Sequence, residues 1–535
     1  MHKQDKIILL AVALFIIFPQ TVLAVGGVAI AFPSPSPCPQ GLAYDGAYLW
    51  LVDRKTDMIY KINPKDESII DSIPSPGYVP RGLTWDGKNL WCVDAEENLI
   101  YSINPKTRIV EKTISSPASD PEGLAWDGKY LWIADSKEAK IDQLSTDDGT
   151  TITSIPSPSP YPCGLSFDGK YLWVSDRARN MIYMITPDKG EVIVCFDAPG
   201  PYTYGLAWDG KYLWNVDYQT DKIYKLKIDD SELFSRKEQK EETLEFTHQI
   251  RNYGPDTVKT LDVYLAIPEN LNNQELVGPV EFNPRPTDIL TDKWGQKVAH
   301  FQFKDLGPTH FNTVSMKAKV KLYQVRYFVF PEKVGKLEDI PKPIKEKYLV
   351  DDAKYSMNHP IIQNAVKKAV GDEKNPYWIA RKIFSYIIDN MEYERVGGWN
   401  IAPAVLARGN GSCSEYSFVY IAMCRAAGLP ARYVGSVAIR GDDASWDDVF
   451  HRWVEVYLPN YGWIPVDPSG GDSKWPADQA NAFGYLNNRY LITTTSGGGS
   501  EYLDWSYNSN EKWTSEGKCK IVVENIGEWS PLNQF

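Results

Sequence analysis

The sequence predicts a multidomain protein, all-β through its first half and α+β at its end. Three observations predict it. A hairpin-forming segment recurs at fixed spacing over residues 25–230, alternating apolar runs fill the middle, and a cysteine, a histidine and an aspartate follow in order in the last third. At 535 residues the chain exceeds one hydrophobic core, and about 150 residues per domain leads to three or four units. With 43% apolar residues, 18 Trp and 32 Tyr, the composition is that of an ordered protein. A net charge of −12 without a basic stripe argues against nucleic acid as partner, because a phosphate backbone needs concentrated Lys and Arg.

Residues 1–24 read as an export signal: Lys3 and Lys6 precede the apolar run Ile7–Phe18, and Val22-Leu23-Ala24 ends on a small residue suited to cleavage. The run is shorter than the roughly 20 residues that span a bilayer, and no later segment is a candidate span. A secreted or cell-surface location is expected. The seven cysteines are an odd number, so at least one thiol stays unpaired.

The repeat occupies residues 25–230. Segments such as GLAYDGAYLWLVD and GLAWDGKYLWIAD begin at Gly41, Gly82, Gly123, Gly164 and Gly205, a period of 41. Each places an Asp-Gly turn between two apolar runs, as a tight hairpin requires, and two further short strands follow. Four strands per repeat of this length predict a β-propeller blade. The fourth-strand apolar residue recurs at Phe32, Ile73, Ile114, Ile155 and Phe196, so the first copy precedes the first Gly-Leu and the last Gly-Leu unit lacks one. A five-bladed ring closed by its own N-terminal strand is expected. The repeated Trp50 and Asp53 series are read as packing and turn residues rather than ligands. Without a nucleophile and base in this half, its expected task is binding a protein or a cell-surface polymer.

Residues 231–345 are read as a charged linker, SRKEQKEETLEF, followed by an antiparallel β-sandwich of roughly seven strands, from runs such as TLDVYLAIP and KVAHFQF. Helical periodicity begins at His359, and residues 346–535 are read as an α+β domain with a C-terminal β tail of one or two hairpins packed on it.

Within that domain Gly409-Asn410-Gly411-Ser412-Cys413 delivers a thiol to the first turn of a helix ending at Gly428-Leu429-Pro430. A helix N-terminus favours thiolate over thiol and offers N–H groups to an oxyanion. His451 opens the strand HRWVEVYLP, and Asp467 ends the next, GWIPVDP. On adjacent strands Asp467 could orient the imidazole toward Cys413. Taken singly, each has an ordinary alternative: a buried thiol, an exposed strand histidine, a turn aspartate.

The segments GSCSEYSFVYIAMCRAAGLPARYVG, HRWVEVYLPNYGW and WIPVDPS resemble the core of the transglutaminase-like superfamily, whose fold is related to papain. The resemblance implies a papain-like core in which Cys413, His451 and Asp467 form the catalytic triad. It also implies acyl transfer from a peptide or glutamine-type amide through a thioester on Cys413, with hydrolysis ranked above crosslinking of proteins by a transglutaminase. Trp399, Asn400 and Tyr393 are candidates for a second oxyanion donor. The rival reading is a non-catalytic extracellular adhesion protein with a degenerate core. The expected partner is a protein or peptide substrate, and no cofactor is required. Gly441–Asp448 carries carboxylates that could ligate Ca²⁺, as some animal relatives require, but lacks EF-hand spacing and is read as a solvated loop. The repeats resemble propeller units of the NHL or lactonase-like kind, which implies fold and not activity.

Overall fold

In a computed structural model the described residues are 24–229, 231–395, 399–442, 444–471 and 473–531. The export signal expected at 1–24 thus lies outside them save for Ala24. The chain is mostly β. Its first part forms five four-stranded antiparallel sheets. Four of them use consecutive strands. In the fifth, Val28–Pro33 pairs with Lys222–Lys227, setting Phe32 against Ile223, so the N-terminal strand completes the sheet of the last repeat.

One end strand of each of the five sheets neighbours that of the next in a closed cycle, from Pro39–Tyr44 round to Thr203–Trp208 and back. The Gly-Leu step explains how closely they approach. A Cβ on Gly41 would stand 2.3 Å from Arg81 O, and around the ring a Cβ on Gly205 would stand 2.3 Å from Gln40 O. Only glycine fits there. The repeated polar residues are structural, as their pattern suggests. Asp45 Oδ2 accepts from Trp50 Nε1 at 2.8 Å, and Asp53 accepts from the backbone N–H of Cys38 and Lys55 at 2.8 and 2.9 Å.

The middle of the chain corrects two expectations. The charged segment 235–242 is no linker: Phe234–Pro255 is one strand, paired from Phe234 to Arg251 with Phe311–Tyr327. Its first half is charged because its side chains reach solvent, so polarity marked exposure and not irregular structure. The C-terminal tail does not pack on the α+β domain as separate hairpins. Cys519–Pro531 lies along Phe234–Pro255, and Ser509–Ser515 extends the second sheet beside Val258–Ala266. Both sheets bury one core, which includes Phe246, Leu261, Phe301, Met316 and Trp529.

The α+β part contains a four-stranded antiparallel sheet in the order Gly462–Val466, His451–Leu458, Ala431–Ala438, Tyr490–Ser496. Helices Pro360–Val370, Pro376–Asn390 and Cys413–Ala426 share its core. The Cys413 helix is buried all round, and Phe418, Val419, Tyr420, Ile421 and Cys424 are fully buried. Gly428, at φ 81°, ends it in the left-handed region. A short helix, Pro476–Ala480, then docks this part on the repeat half: Arg179 donates to both oxygens of Asp478 at 2.5 and 3.1 Å, and Ala477 N to Pro158 O at 3.1 Å. Among the described residues no helix is long and apolar enough to cross a membrane, and no cysteine is in a disulfide.

Candidate functional site

Cys413 is the first residue of its helix, held there by the buried carboxylate of Glu415, two positions on. Glu415 Oε2 accepts from Ser412 N at 3.2 Å and from Arg408 Nη2 at 2.8 Å. Its Oε1 accepts from Asn400 N and Nδ2 at 3.1 and 3.2 Å. The turn that aims the thiol is therefore tied to the segment before it. The first N–H groups of a helix have no partner within it, so positive potential gathers at the sulfur.

His451 opens the strand beside that helix. The residue before it, Phe450, takes φ 60°, a costly conformation for a bulky side chain. Two groups clamp it: Asp447 Oδ1 accepts from Phe450 N at 3.0 Å, and Arg440 Nη2 donates to Phe450 O at 2.7 Å. The imidazole is thereby set against the carboxylate at the end of the next strand, with His451 Nε2 donating to Asp467 Oδ2 at 2.7 Å. Asp467 Oδ1 accepts from Ser469 Oγ at 2.7 Å and from Ser469 N and Gly470 N at 3.1 Å.

The electrostatics follow from this packing. Burial opposes charge on His451, but the Asp467 carboxylate and the Cys413 thiol outweigh it and hold the imidazole well above its usual range. Burial likewise opposes a thiolate on Cys413, yet the hydrogen bond and charge of His451, with the Arg452 N–H, pull the thiol below its usual range. Asp467 is pushed up by burial and more strongly down by His451, Ser469 and Gly470. A thiolate–imidazolium pair is the state that this geometry favours. All three residues are only half-buried, so a substrate can reach them.

The three oxyanion candidates fare differently. Asn400 turns its side-chain amide to Glu415. Tyr393 is exposed, its ring 6.3 Å from that of Tyr416. Trp399, 38% exposed, lies 6.3 Å from the Tyr507 ring and 4.9 Å from the Arg452 guanidinium. Sequence reasoning missed Tyr507, which sits far beyond Asp467 in the chain. Burial and then the charge at Cys413 push its phenol up, so its proton is retained. Gly435 makes room for it, since a Cβ there would lie 2.2 Å from Tyr507 Cβ. Also missed was Arg452, fully buried with its guanidinium 4.3 Å from the Tyr507 ring and 4.4 Å from that of Tyr433. Glu415 had a signal, the Ser-x-x-Glu capping pattern at 412–415.

The loop 441–448 is not wholly a solvated one. Trp446–Asp447 forms a short strand against Cys519–Pro531, and the buried Asp447 is spent on Ala438 N, Arg440 Nε and Phe450 N. Among the described residues no three His, Cys, Asp or Glu side chains cluster as metal ligands would. Beside Asp467 lies a cavity of about 280 Å³, bordered by Trp453, Asp478, Asn481, Tyr485 and Tyr490.

Residues 363–468 match the family model of the transglutaminase-like superfamily. An uncharacterized protein of Haemophilus influenzae is 28% identical over 162 residues, covering 25% of this chain and 44% of that protein. The uncharacterized protein YebA of Bacillus subtilis is 26% identical over 142 residues, covering 25% of this chain and 18% of that protein. The chain thus spans less than half the length of either relative. Among solved structures, a candidate cysteine protease from Cytophaga hutchinsonii aligns over 57% of this chain and 94% of its own, with a TM-score of 0.41 and 15% identity.

Proposed function

We propose that this chain, whose residues 363–468 are a transglutaminase-like domain, is an exported cysteine-dependent acyl-transfer enzyme acting on peptide or glutamine-type amides. The observation that carries the reading is the thiol at a helix N-terminus beside an imidazole hydrogen-bonded at 2.7 Å to a carboxylate. In this reading the Cys413 thiolate attacks the amide carbonyl. The N–H groups of the first helical turn, and the Tyr507 hydroxyl, stabilise the oxyanion. His451, held as imidazolium by Asp467, gives its proton to the departing amine and leaves a thioester. Water, activated by the now neutral His451, then releases the acid and restores the thiol. A lysine amine in place of water would give a crosslink. Hydrolysis is preferred because the half-buried site admits water.

The same reading makes the five four-stranded sheets a five-bladed propeller over 25–230. The two sheets that follow become a sandwich from 231–345 completed by strands from 509–531, and the catalytic domain begins at 346. The protein is placed outside the cell or on its surface.

Casein with a labelled primary amine tests the activity, using protein recovered from the medium of an expressing culture, its N-terminus sequenced at the same time. New N-termini without amine incorporation are expected, from a mature chain starting near residue 25. Incorporation without cleavage would assign crosslinking instead, and no reaction would leave the adhesion reading. In the same assay Tyr507→Phe is expected to slow turnover about a hundredfold, as loss of one oxyanion donor does.

A further inference from the structure

Three positions of the repeat change their chemistry from copy to copy and meet at one mouth of the ring. The residue after each second-strand aspartate is Arg54, Ala95, Ser136, Arg177 or Tyr218. The backbone N–H of each donates to the residue three places before the Gly-Leu step: Cys38, Val79, Asp120, Tyr161 and Tyr202 in turn. Directly ahead of the Gly-Leu step stand Gln40, Arg81, Glu122, Cys163 and Tyr204. The surrounding residues repeat because they build the sheets. These differ, so what they do is asymmetric and is not required by the fold.

What they form is a cavity of about 370 Å³ bordered by Gln40, Arg54, Arg177, Tyr202, Tyr204 and Tyr218. Arg54, Lys55, Arg81 and Arg177 gather here beside Asp120 and Glu122, while the strand-end Asp53, Asp94, Asp135, Asp176 and Asp217 are buried behind them with oxygens spent on backbone N–H groups. Arg81 is already paired with Asp120 and Glu122. Arg177 has no carboxylate partner among the described residues: it donates to Tyr204 Oη at 3.1 Å and lies 5.6 and 5.3 Å from the Tyr161 and Tyr202 rings. Arg54 is exposed, and no carboxylate meets it among the described residues. At the base Glu122 is 3% exposed, and its Oε2 has no partner among the described residues. Burial pushes this carboxyl up to about 7, so it can donate as well as accept.

One loop of the mouth also reaches the α+β part. The loop after Asp176 sends Arg177 into the mouth and, two residues on, Arg179 to Asp478. Asp478 borders the same cavity as Asp467. Two unpaired guanidinium groups framed by tyrosine rings suit carboxylates on a chain that can lie across aromatic surfaces.

We infer that this mouth is a substrate-docking site that takes an acidic polypeptide segment, with Arg54 and Arg177 binding its carboxylates and the tyrosines its backbone and side chains, beside the Cys413 cleft. This rests on the acyl-transfer reading for the choice of polypeptide over glycan. The test is built so that the two can fail separately: it reads binding alone, on full-length Cys413→Ala protein, which has no nucleophile. The probes are a fluorescein-labelled peptide of repeated Gly-Glu-Gln, its Gly-Lys-Gln counterpart, and oligogalacturonate as competitor. The acidic peptide is expected to bind at least tenfold more tightly than the basic one. Arg54→Glu, at an exposed position that cannot unfold the ring, and Arg177→Gln are each expected to weaken it about tenfold. Equal binding of both peptides, or unchanged affinity in both variants, would overturn the proposal. Oligogalacturonate binding more tightly than the peptide would overturn it too, in favour of an acidic glycan.

Discussion

Asp467→Asn is expected to lower turnover by about 10³- to 10⁴-fold while leaving the fold intact. The estimate comes from the loss seen when a triad carboxylate becomes an amide of the same shape. The mechanism is specific to this geometry. Asp467 Oδ2 takes the Nε2 proton at 2.7 Å, while Ser469 and Gly470 hold the other oxygen. An amide keeps the size but not the charge. Without the Asp467 charge, its largest support, the imidazole would be pulled down by burial, and without imidazolium the thiol would rise. Turnover needs thiolate and imidazolium together, so the active pH window, bounded by the lowered thiol and the raised imidazole, narrows from both ends. A pH–rate profile of kcat/KM measures this, and a profile of unchanged width would contradict it.

Removing residues 509–535 is expected to cost the protein its folded state, although the segment lies beyond Cys413, His451 and Asp467. Cys519–Pro531 is an inner strand, between Phe234–Pro255 and Trp446–Asp447. Without it the long strand loses one full ladder, and Trp529, 4% exposed, leaves a shared core. The damage would reach the site through a short path: Trp446–Asp447 loses its pairing, Asp447 anchors Phe450, and Phe450 sets His451. Trp529→Ala is the milder version. It should cost about 3–5 kcal/mol, read as a fall in the denaturation midpoint with reduced activity. Soluble, active truncated protein would refute this role for the tail.

Why the pairing of the tail is not legible in the sequence, while the hairpin repeat is, is a matter of distance along the chain. The hairpins announce themselves locally, since Asp45-Gly46 and its four copies supply both turn and period. Cys413, His451 and Asp467 each sit in a motif whose local form, helix start or strand end, is legible. Strand pairing between Phe246 and Gly527 has no local signature. The charged run from Ser235 to Glu241 carries no strand signal for a related reason: a strand with neither face buried shows no alternation. Asn400 was plausible as an oxyanion donor until Glu415 claimed its amide, and Tyr507 could not be found without the tertiary fold.

The central claim is that His451 keeps Cys413 as a reactive thiolate, and its most direct measurement is the rate at which iodoacetamide alkylates Cys413 at pH 6. The Cys413 peptide should be followed by mass spectrometry, because Cys38 and Cys519 are also partly accessible. An ordinary thiol, with pKa about 8.5, is under about 1% ionised at this pH. Wild-type protein is expected to react rapidly, and His451→Ala at least about thirtyfold more slowly. Equal rates for the two proteins would contradict the account.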